Sequence, residues 1–481
     1  MKTELNSELN KNNTVPDDGS GETFRDVVGF IDGTGKRKWI YPSKPRGKFH
    51  RARIAVAIVL FAFLFIVPFI RVSGHPFLLF DFFHRQFIIF GLVFWSQDFF
   101  ILALAFIASI IIVVLFTAIY GRLWCGWACP QTLFLEFVFR KIEYLIEGDA
   151  PTQRKLNNSS MTAVKFFKKF LKHSIFYIIS FITGNLLLSY IIGTDELFSI
   201  IKDPVGSHLV GFIAMLLFSG IFYFIFARFR EQACIVICPY GRLQSVLLDN
   251  NSIIVAYDYV RGEPRKDKND SNADGDCIDC GACIRVCPTG IDIRNSKGAQ
   301  LECVNCTACI DACDEIMDRI EKPRKLIKYG SINSIAFNQK FRITPRIIIY
   351  SALLTVLITL ISVLMLIRTD VDARVHRVKN IQPIALDNFV VENVYTASFT
   401  NRTYKIMTLD LKLESPEGAI EIPGNEKIMV EPSQTSEASI LIKIDKRKLP
   451  AQNSQIIIGV YDNGKKLKEI KTAFYFINKL K

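Results

Sequence analysis

The sequence predicts a multi-domain membrane protein with an α-helical membrane domain of five spans, an inserted cysteine-rich domain and a C-terminal all-β sandwich. Half of the 481 residues are hydrophobic, and they gather in long runs separated by charged stretches. All twelve cysteines lie in short-spaced groups before residue 314, whereas residues 370–481 show short apolar segments between turn signals. Long apolar runs are typical of polytopic membrane proteins, and short strands at regular spacing are typical of sandwiches.

Five apolar runs are long enough to cross a bilayer, which needs about 20 residues. They cover residues 54–72, 99–119, 173–192, 208–227 and 347–367. A shorter apolar piece, 87–95, is expected to be re-entrant or interfacial. We interpret Asp98, which follows it, as an N-cap at the outer end of the second span rather than as an intramembrane functional acid.

The distribution of Lys and Arg predicts the orientation of the spans. These residues are dense in 36–53, 140–172 and 322–346 and sparse in the connections 73–97 and 193–207. The positive-inside rule therefore predicts a multi-pass protein of the inner (cytoplasmic) membrane with a cytoplasmic N-terminus and a tail from about residue 369 in the periplasm. This asymmetry also explains the net charge of +13. Without a basic recognition helix, we expect no nucleic-acid binding.

Eight cysteines form two runs of identical spacing that are typical of bacterial ferredoxins. Three closely spaced thiolates wrap one iron–sulfur cube, and in two-cluster ferredoxins each run donates its fourth cysteine to the other cluster. The alternative, a pair of zinc sites, normally uses separated Cys-x-x-Cys pairs. We therefore assign the ligands of two [4Fe–4S] clusters as Cys277, Cys280, Cys283 and Cys313 for the first and Cys303, Cys306, Cys309 and Cys287 for the second.

The other four cysteines form two Cys-x-x-x-Cys-Pro motifs, Cys125/Cys129 and Cys234/Cys238. Each motif ends a pair of spans and lies near a Gly-Arg-Leu triplet, at 121–123 and 241–243, so the spans form a loose internal repeat. Cysteines at i and i+4 share a helix face, and two such pairs at one membrane depth predict four converging thiols. Soft thiolates favour Cu(I). A redox disulfide, a further iron–sulfur or haem site, thiols beside a quinone pocket, and inert buried cysteines remain alternatives.

The predicted domains follow from these features. They are a flexible cytoplasmic tail (1–35), a membrane domain with four helices and both Cys-x-x-x-Cys-Pro motifs (36–250), a cytoplasmic two-cluster ferredoxin-like domain (251–330), a fifth transmembrane helix (345–368) and a periplasmic immunoglobulin-like β-sandwich (370–481).

The motifs together resemble the FixG/RdxA/CcoG proteins, polyferredoxin-like membrane proteins known as cytochrome c oxidase accessory proteins. The resemblance covers nearly the whole chain beyond the first 30 or so residues. It rests on the segments 121–132, 234–244 and 275–283, with further matches at 288–294 and 309–314. It implies reduction of Cu(II) to Cu(I) on the cytoplasmic side for assembly of a cbb3-type oxidase. A copper-exporting ATPase and oxidase assembly factors are the implied partners.

The leading hypothesis is therefore a cupric reductase. An unidentified cytoplasmic donor would reduce the two clusters, which would pass electrons to copper near Cys125, Cys129, Cys234 and Cys238. One alternative is a quinol-linked electron-transfer subunit, although such a subunit has no need of the C-terminal β-domain. Another is a non-catalytic scaffold for oxidase assembly whose clusters sense redox state.

Overall fold

The fold is described here from a computed structural model. The described residues are 39–476 apart from gaps at 73, 83–85, 96–97, 205, 266–274, 296–299, 301, 379–380, 387–388, 425–426 and 433. The predicted tail at 1–35 lies outside them. Contacts divide the chain into two units, one formed by residues up to Phe69 with Ala105–Ile358 and the other by Ile70–Leu104 with Thr359–Lys481.

Five helices in the described residues are long and apolar enough to cross a membrane, which confirms the predicted number of spans. They are Lys48–Phe69, Phe99–Tyr120, Ala163–Ile192, Leu209–Phe229 and Pro345–Ile367. The first and third begin earlier than the apolar runs, because their first turns carry Lys and Arg that the hydropathy pattern leaves out.

Aromatic side chains hold the membrane part of the first unit together. Phe139 stacks on Phe226 with ring centroids 4.6 Å apart, and Phe176 meets Phe139 edge-on at 4.8 Å. Phe134 joins them in the same buried cluster. The third and fourth spans also approach closely where Gly184 faces Ser219. Offset and edge-on aromatic pairs add about 0.5–1.5 kcal/mol each beyond the area that they bury.

Short helices follow the spans and position the Cys-x-x-x-Cys-Pro motifs. They are Leu123–Trp127, Pro130–Leu133, Arg140–Ile146, Ala150–Asn158, Thr194–Lys202 and Pro239–Leu247. Three π-helical turns lie among them at Phe134–Phe139, Ile225–Phe229 and Ala233–Ile237. Such π-turns are rare and occur frequently at functional sites.

The cysteine-rich domain belongs to the first unit. Its elements are the antiparallel strands Ile254–Tyr257 and Ile327–Gly330 and the helices Tyr259–Gly262, Ala282–Val286, Ala308–Arg319 and Ile332–Ala336. The two cysteine runs share one backbone conformation, since positive φ angles recur at Asp279 (48°) and Asn305 (53°) and again at Gly281 (64°) and Thr307 (62°). Left-handed residues at these places turn each loop tightly, so that its three cysteines face one point.

The second unit begins with a strand-rich loop between the first two spans. Its strands are Arg71–Val72, His75–Pro76, Leu78–Asp81, Gln86–Ile89 and Leu92–Phe94, and the last three form one antiparallel sheet. The piece 87–95, expected to be re-entrant or interfacial, thus contributes the last two strands of this sheet. It forms two strands because the turn at Phe90 and Gly91, both with positive φ, reverses the chain.

The rest of this unit is a β-sandwich, as predicted. Its strands are β1 Val371–Arg377, β2 Ile384–Ala385, β3 Val390–Asn401, β4 Met407–Ser415, β5 Gly418–Glu421, β6 Ile428–Val430, β7 Thr435–Asp445, β8 Asn453–Asp462 and β9 Lys465–Tyr475. One antiparallel sheet has the order β5-β7-β3-β1, with β2 beside β3, and the other has the order β6-β4-β8-β9. Alternate residues of both sheets, such as Tyr395, Ile440, Ile458 and Phe474, fill one buried core.

Asp98 has a different role from the predicted helix cap. It is buried, and its two carboxylate oxygens accept hydrogen bonds from Arg402 at 2.7 Å and Arg368 at 2.9 Å, within the second unit. Arg368 follows the fifth span, and Arg402 follows strand β3. Sequence periodicity gives no indication of partners that lie 270 and 304 residues away.

Candidate redox centre

A cysteine-lined cavity lies between the two cysteine runs. Its volume is about 340 Å³, and its lining includes Cys287, Cys303, Cys306 and Cys309, with Cys283 at one side. The first four are the residues that the sequence assigned to the second cluster. The structure thus brings Cys287 of the first run to the three cysteines of the second. Four thiols around one enclosed space are the donor set that a [4Fe–4S] cube requires.

The other four assigned cysteines also converge. Cys313 ends the second run, yet its thiol is close enough to Cys283, Cys277 and Cys280 to interact with them electrostatically. Burial and these neighbours raise the pKa of Cys313 to about 12. Arg294 donates to Cys277 Sγ at 3.8 Å and pairs with Asp292 at 2.8 Å. These residues fit a first cube held by Cys277, Cys280, Cys283 and Cys313.

The Cys-x-x-x-Cys-Pro motifs do not present their cysteines on one helix face. Cys129 has extended backbone (φ −64°, ψ 122°), as does Cys238 (φ −68°, ψ 113°). A proline disfavours helical geometry in the residue before it, and Pro130 and Pro239 directly follow these two cysteines. Each second cysteine therefore caps a new helix whose first residue is proline. The predicted helical pairing was wrong in this respect.

The four thiols of these motifs nevertheless gather. Burial, followed by the thiols of Cys129 and Cys125, raises the pKa of Cys234 to about 12, and Cys238 also contributes. Burial and the thiol of Cys129 raise the pKa of Cys125 to about 11, against the opposing effects of Arg122 and Gln244. Each pair is thus an electrostatic neighbour of the other. The four thiols thus lie near one another, although not on a shared helix face.

Contacts between the two halves of the repeat produce this convergence. Arg122 of the first Gly-Arg-Leu triplet donates to the carbonyl of Gly241 in the second. Thr117 and Tyr240 share a hydrogen bond of 2.9 Å. Cys125 Sγ donates to Gln244 Oε1 at 3.4 Å. The repeated triplets therefore pack against one another and hold the motifs side by side.

The first motif also contacts the second cysteine run directly. Cys125 packs against the buried group that includes Val304 and Cys306. A Cβ on Gly126 would lie 2.5 Å from the carbonyl oxygen of Val304, so only glycine allows this approach. Trp127 donates from Nε1 to the hydroxyl oxygen of Tyr329 at 2.9 Å. These contacts bring a thiol of the membrane motifs next to ligands of the second cluster.

Arg122 is a charged group that interacts with both sets of thiols. Its guanidinium interacts electrostatically with Cys125, Cys303 and Cys238, and it is buried. Burial lowers its pKa, whereas the thiols act to raise it. A buried cation at this place stabilises negative charge on sulfur, whether the sulfur belongs to a cluster ligand or to the membrane motifs.

A buried ion-pair network, which the sequence analysis missed, braces the same region. Glu143 pairs with Arg230, and Lys172 pairs with Glu147 at 2.8 Å. Burial alone would raise the pKa of Glu143, but Arg230 and Lys172 hold it below its usual value. Arg140 donates to the carbonyl of Pro288, the residue after Cys287, at 3.1 Å. The network thus ties the membrane helices to the cluster domain.

No group of three or more His, Cys, Asp or Glu side chains in the described part of the chain has the spacing of a single-ion site. An iron–sulfur cube is larger than a single ion, so the cysteines that hold it stand further apart than the ligands of a single-ion site. For the four thiols of the membrane motifs, the same observation means that a preformed three-donor ion site is not present among the described residues.

Three family models match the chain. One described as "4Fe-4S dicluster domain" matches residues 229–332, and one described as "4Fe-4S binding domain" matches residues 102–148. A third, "IG-like fold at C-terminal of FixG", matches residues 361–477. Protein RdxA of Cereibacter sphaeroides is 36% identical over 380 residues, which cover 75% of this chain and 79% of the relative. The chain belongs to the FixG/RdxA family.

Other FixG/RdxA relatives extend the comparison. Protein RdxB of Cereibacter sphaeroides is 33% identical over 423 residues, covering 81% of this chain and 87% of the relative. Nitrogen fixation protein FixG of Rhizobium meliloti is 32% identical over 317 residues, covering 63% and 59%. A FixG-related protein from Vibrio parahaemolyticus, solved by crystallography, matches 24% of this chain and 100% of its own at 25% identity and a TM-score of 0.19.

Family membership confirms the coarse prediction of function. The chain is a multi-pass membrane-type iron–sulfur electron-transfer protein of the FixG/RdxA family, with an immunoglobulin-like C-terminal domain. The match at 102–148 covers Cys125 and Cys129 but no residue of the two ferredoxin runs. Bound clusters supply one-electron transfer at the cysteine-lined cavity.

Proposed function

We propose that this chain is a membrane-bound cupric reductase that supplies Cu(I) for the assembly of a cbb3-type cytochrome c oxidase. The observation that supports it best is the packing of Cys125 against the second cysteine run. Through this contact, electrons held beside Cys303, Cys306 and Cys309 have a short route to the four thiols of the membrane motifs.

The residues of the membrane motifs match the needs of copper reduction. Thiolate sulfur favours Cu(I) over Cu(II), so binding at Cys125, Cys129, Cys234 and Cys238 makes the reduction easier. One electron converts one Cu(II) into one Cu(I), and the thiols release protons as they bind the metal. Arg122 offsets the negative charge that accumulates on these sulfurs.

The proposed orientation places this site in the cytoplasm. The segments 36–53, 140–172 and 322–346 are rich in Lys and Arg, which favours the cytoplasmic side of the inner membrane. The sandwich would then lie in the periplasm. Cu(I) produced at the thiols would pass to a copper-exporting ATPase and oxidase assembly factors, and a cytoplasmic donor would refill the clusters.

The test is the rate of Cu(II) reduction by purified protein with serine at all four motif cysteines. The clusters are first reduced with dithionite, excess reductant is removed, and Cu(I) is trapped with a chelating dye. We expect loss of Cu(II) reduction while the EPR signals of both reduced clusters persist. Unchanged copper reduction would remove the membrane motifs from the reaction.

Iron analysis of the same variant addresses the match at 102–148, which describes 4Fe-4S binding. A protein with copper as substrate at the four thiols has the iron content of two clusters, both before and after the substitution. Loss of one cluster's iron on substitution would instead show that the motif thiols hold a third cluster.

A further inference from the structure

A second, larger pocket opens beside the cluster domain within the first unit. Its volume is about 1010 Å³, including the open mouth. Two segments and the cluster domain line it, namely residues 42–50 at the start of the first span, residues 136–145 after the first cysteine motif, and Val286, Pro288 and Ala308 of the cluster domain. Small-molecule sites are concave and largely apolar.

The floor of this pocket adjoins the second cluster's ligands. Val286 and Pro288 flank Cys287, and Ala308 lies between Cys306 and Cys309 in the chain. Val286 and Ala308 also share a buried cluster with Cys306. A molecule seated on this floor is therefore separated from the ligands of the second cluster by single side chains. This position suits a molecule that exchanges electrons with the cluster.

The rim of the pocket is positively charged. Lys44, Arg46 and Lys141 line it and are exposed. Lys44 pairs with Asp149 at 2.7 Å, whereas neither Arg46 nor Lys141 has a carboxylate partner in the part of the chain that the structure describes. The acid of the pocket, Glu136, is already bound to Arg53 at 2.6 Å. The rim thus favours an anionic group.

Flat side chains form the wall between rim and floor. Tyr144 is fixed by a hydrogen bond from its hydroxyl to the carbonyl of Pro42 at 2.9 Å. His50 stacks on Phe137 with ring centroids 5.8 Å apart. Its Nδ1 atom is buried and has no partner among the described residues. Tyr144 and His50 therefore offer aromatic surface to a planar heterocycle.

We propose that this pocket binds a flavin phosphate, such as flavin mononucleotide, as the electron donor to the clusters. The inference rests on the proposed function, because it names the donor of that reaction. The phosphate would meet Arg46 and Lys141, and the ring system would lie against Tyr144 and His50.

The electron count selects this class of donor. A nicotinamide transfers a hydride, that is two electrons at once, whereas each cluster accepts one electron. A reduced flavin carries two electrons and gives them up singly. The anionic reduced flavin yields oxidised flavin, one proton and two electrons, one for each cluster, and the proton passes to solvent. A soluble reductase that uses a nicotinamide would reduce the flavin again. A quinol is neutral and does not use the basic rim.

The experiment measures flavin binding to the full-length holoprotein by equilibrium dialysis in detergent without copper. The test variant is Arg46→Glu with Lys141→Glu, and the matched control is Lys155→Glu with Lys340→Glu, two exposed lysines outside the pocket lining. We expect the Kd for flavin mononucleotide to rise at least about tenfold in the test variant only, and more at low salt. Riboflavin, which lacks the phosphate, should bind the wild type at least about tenfold more weakly.

Cluster reduction is measured separately. Photoreduced flavin mononucleotide should bleach the cluster absorbance of the wild type and control faster than that of the test variant. Equal affinity for flavin mononucleotide and riboflavin, equal affinity in both variants, or displacement by a short-chain quinone would each overturn this proposal. If dithionite-reduced protein reduces copper while flavin mononucleotide fails to bind, the donor proposal fails and the proposed function stands. If flavin binds and reduces the clusters but copper is not reduced, the proposed function fails and the donor proposal stands.

Discussion

Replacing Gly126 with alanine tests the contact between the first cysteine motif and the second cluster. The added Cβ would lie 2.5 Å from the carbonyl oxygen of Val304, about 0.9 Å short of ordinary van der Waals contact at 3.4 Å. A second oxygen, that of Asn305, is 2.7 Å away. Both neighbours are backbone atoms of the ligand loop, which a bound cluster holds in place. The two segments must therefore separate by close to that distance, and overpacking of this kind costs about 1–3 kcal/mol.

The expected result is a slower transfer of electrons to copper with both clusters intact, because the added separation lengthens the path from the second cluster to the motif thiols. The assay mixes dithionite-reduced protein with Cu(II) in a stopped-flow instrument and follows cluster reoxidation. Gly220→Ala is the matched control, because no atom lies within 4 Å of its added Cβ. Gly126→Ala protein that holds both clusters and reoxidises at the wild-type rate would refute the proposed route.

Three further predictions follow from the same structure. Cys287→Ser should eliminate the second cluster although Cys287 lies in the first run. EPR of the reduced protein should then show one remaining cluster. Loss of the first cluster instead would contradict the assigned exchange of the fourth cysteine. Glu143→Gln leaves the buried Arg230 without its carboxylate and should destabilise the protein by about 3–5 kcal/mol in thermal melts, whereas Glu315→Gln, at an exposed pair, should change stability by less than about 1 kcal/mol. Asp372 is ionised in the sandwich with its pKa held below its usual value of 3.8. Burial alone would raise this pKa, but the hydrogen bond and charge of Lys468, together with the charges of Arg402 and Arg374, outweigh burial. The stabilisation that the ionised carboxylate gives the sandwich is fully present above pH 3.8 and is lost as the pH falls through the lowered pKa. Hydrogen exchange should therefore show that the difference in stability between the wild type and Asp372→Asn becomes smaller with acidification.

The cysteine pattern predicts the cluster ligands because iron–sulfur chemistry constrains them locally, and this assignment stays a prediction. Three cysteines at fixed spacing can only wrap one cube, and the exchange of the fourth is a consequence of the short loop. The structure accordingly places Cys287 beside the second run. The tight turns were harder to predict from the sequence. Thr307 has the left-handed conformation (φ 62°), which β-branched residues rarely adopt.

The cysteine motifs of the membrane domain show where local patterns mislead. The spacing of four residues suggested one helix face, but Pro130 and Pro239 impose extended backbone on Cys129 and Cys238. The signal was in the sequence, since the residue before a proline is biased away from the helix. What brought the thiols together was the pairing of the repeats, which rests on Arg122 and its contact with Gly241.

Long-range charge pairing was beyond prediction. Glu143 and Arg230 are 87 residues apart, and each looks like an ordinary charged residue beside an apolar run. Burial makes their pairing necessary, because an unpaired ion in such a place is far more costly than a paired one. Only the fold reveals which charges are enclosed together.

The ion pairs of Asp98 with Arg368 and Arg402 make the strand-rich loop before the second span dependent on the C-terminal part of the chain. Tyr404 of the sandwich packs against Leu79, Ile88 and Val93 of that loop and donates to the carbonyl of Gly91. A protein shortened after the fifth span would lose both Tyr404 and Arg402, so the loop would shed part of its core while Asp98 kept only Arg368. The second span begins directly after this carboxylate and leads to Cys125. Deletion of the sandwich would therefore disturb the start of the helix that leads to the first cysteine motif.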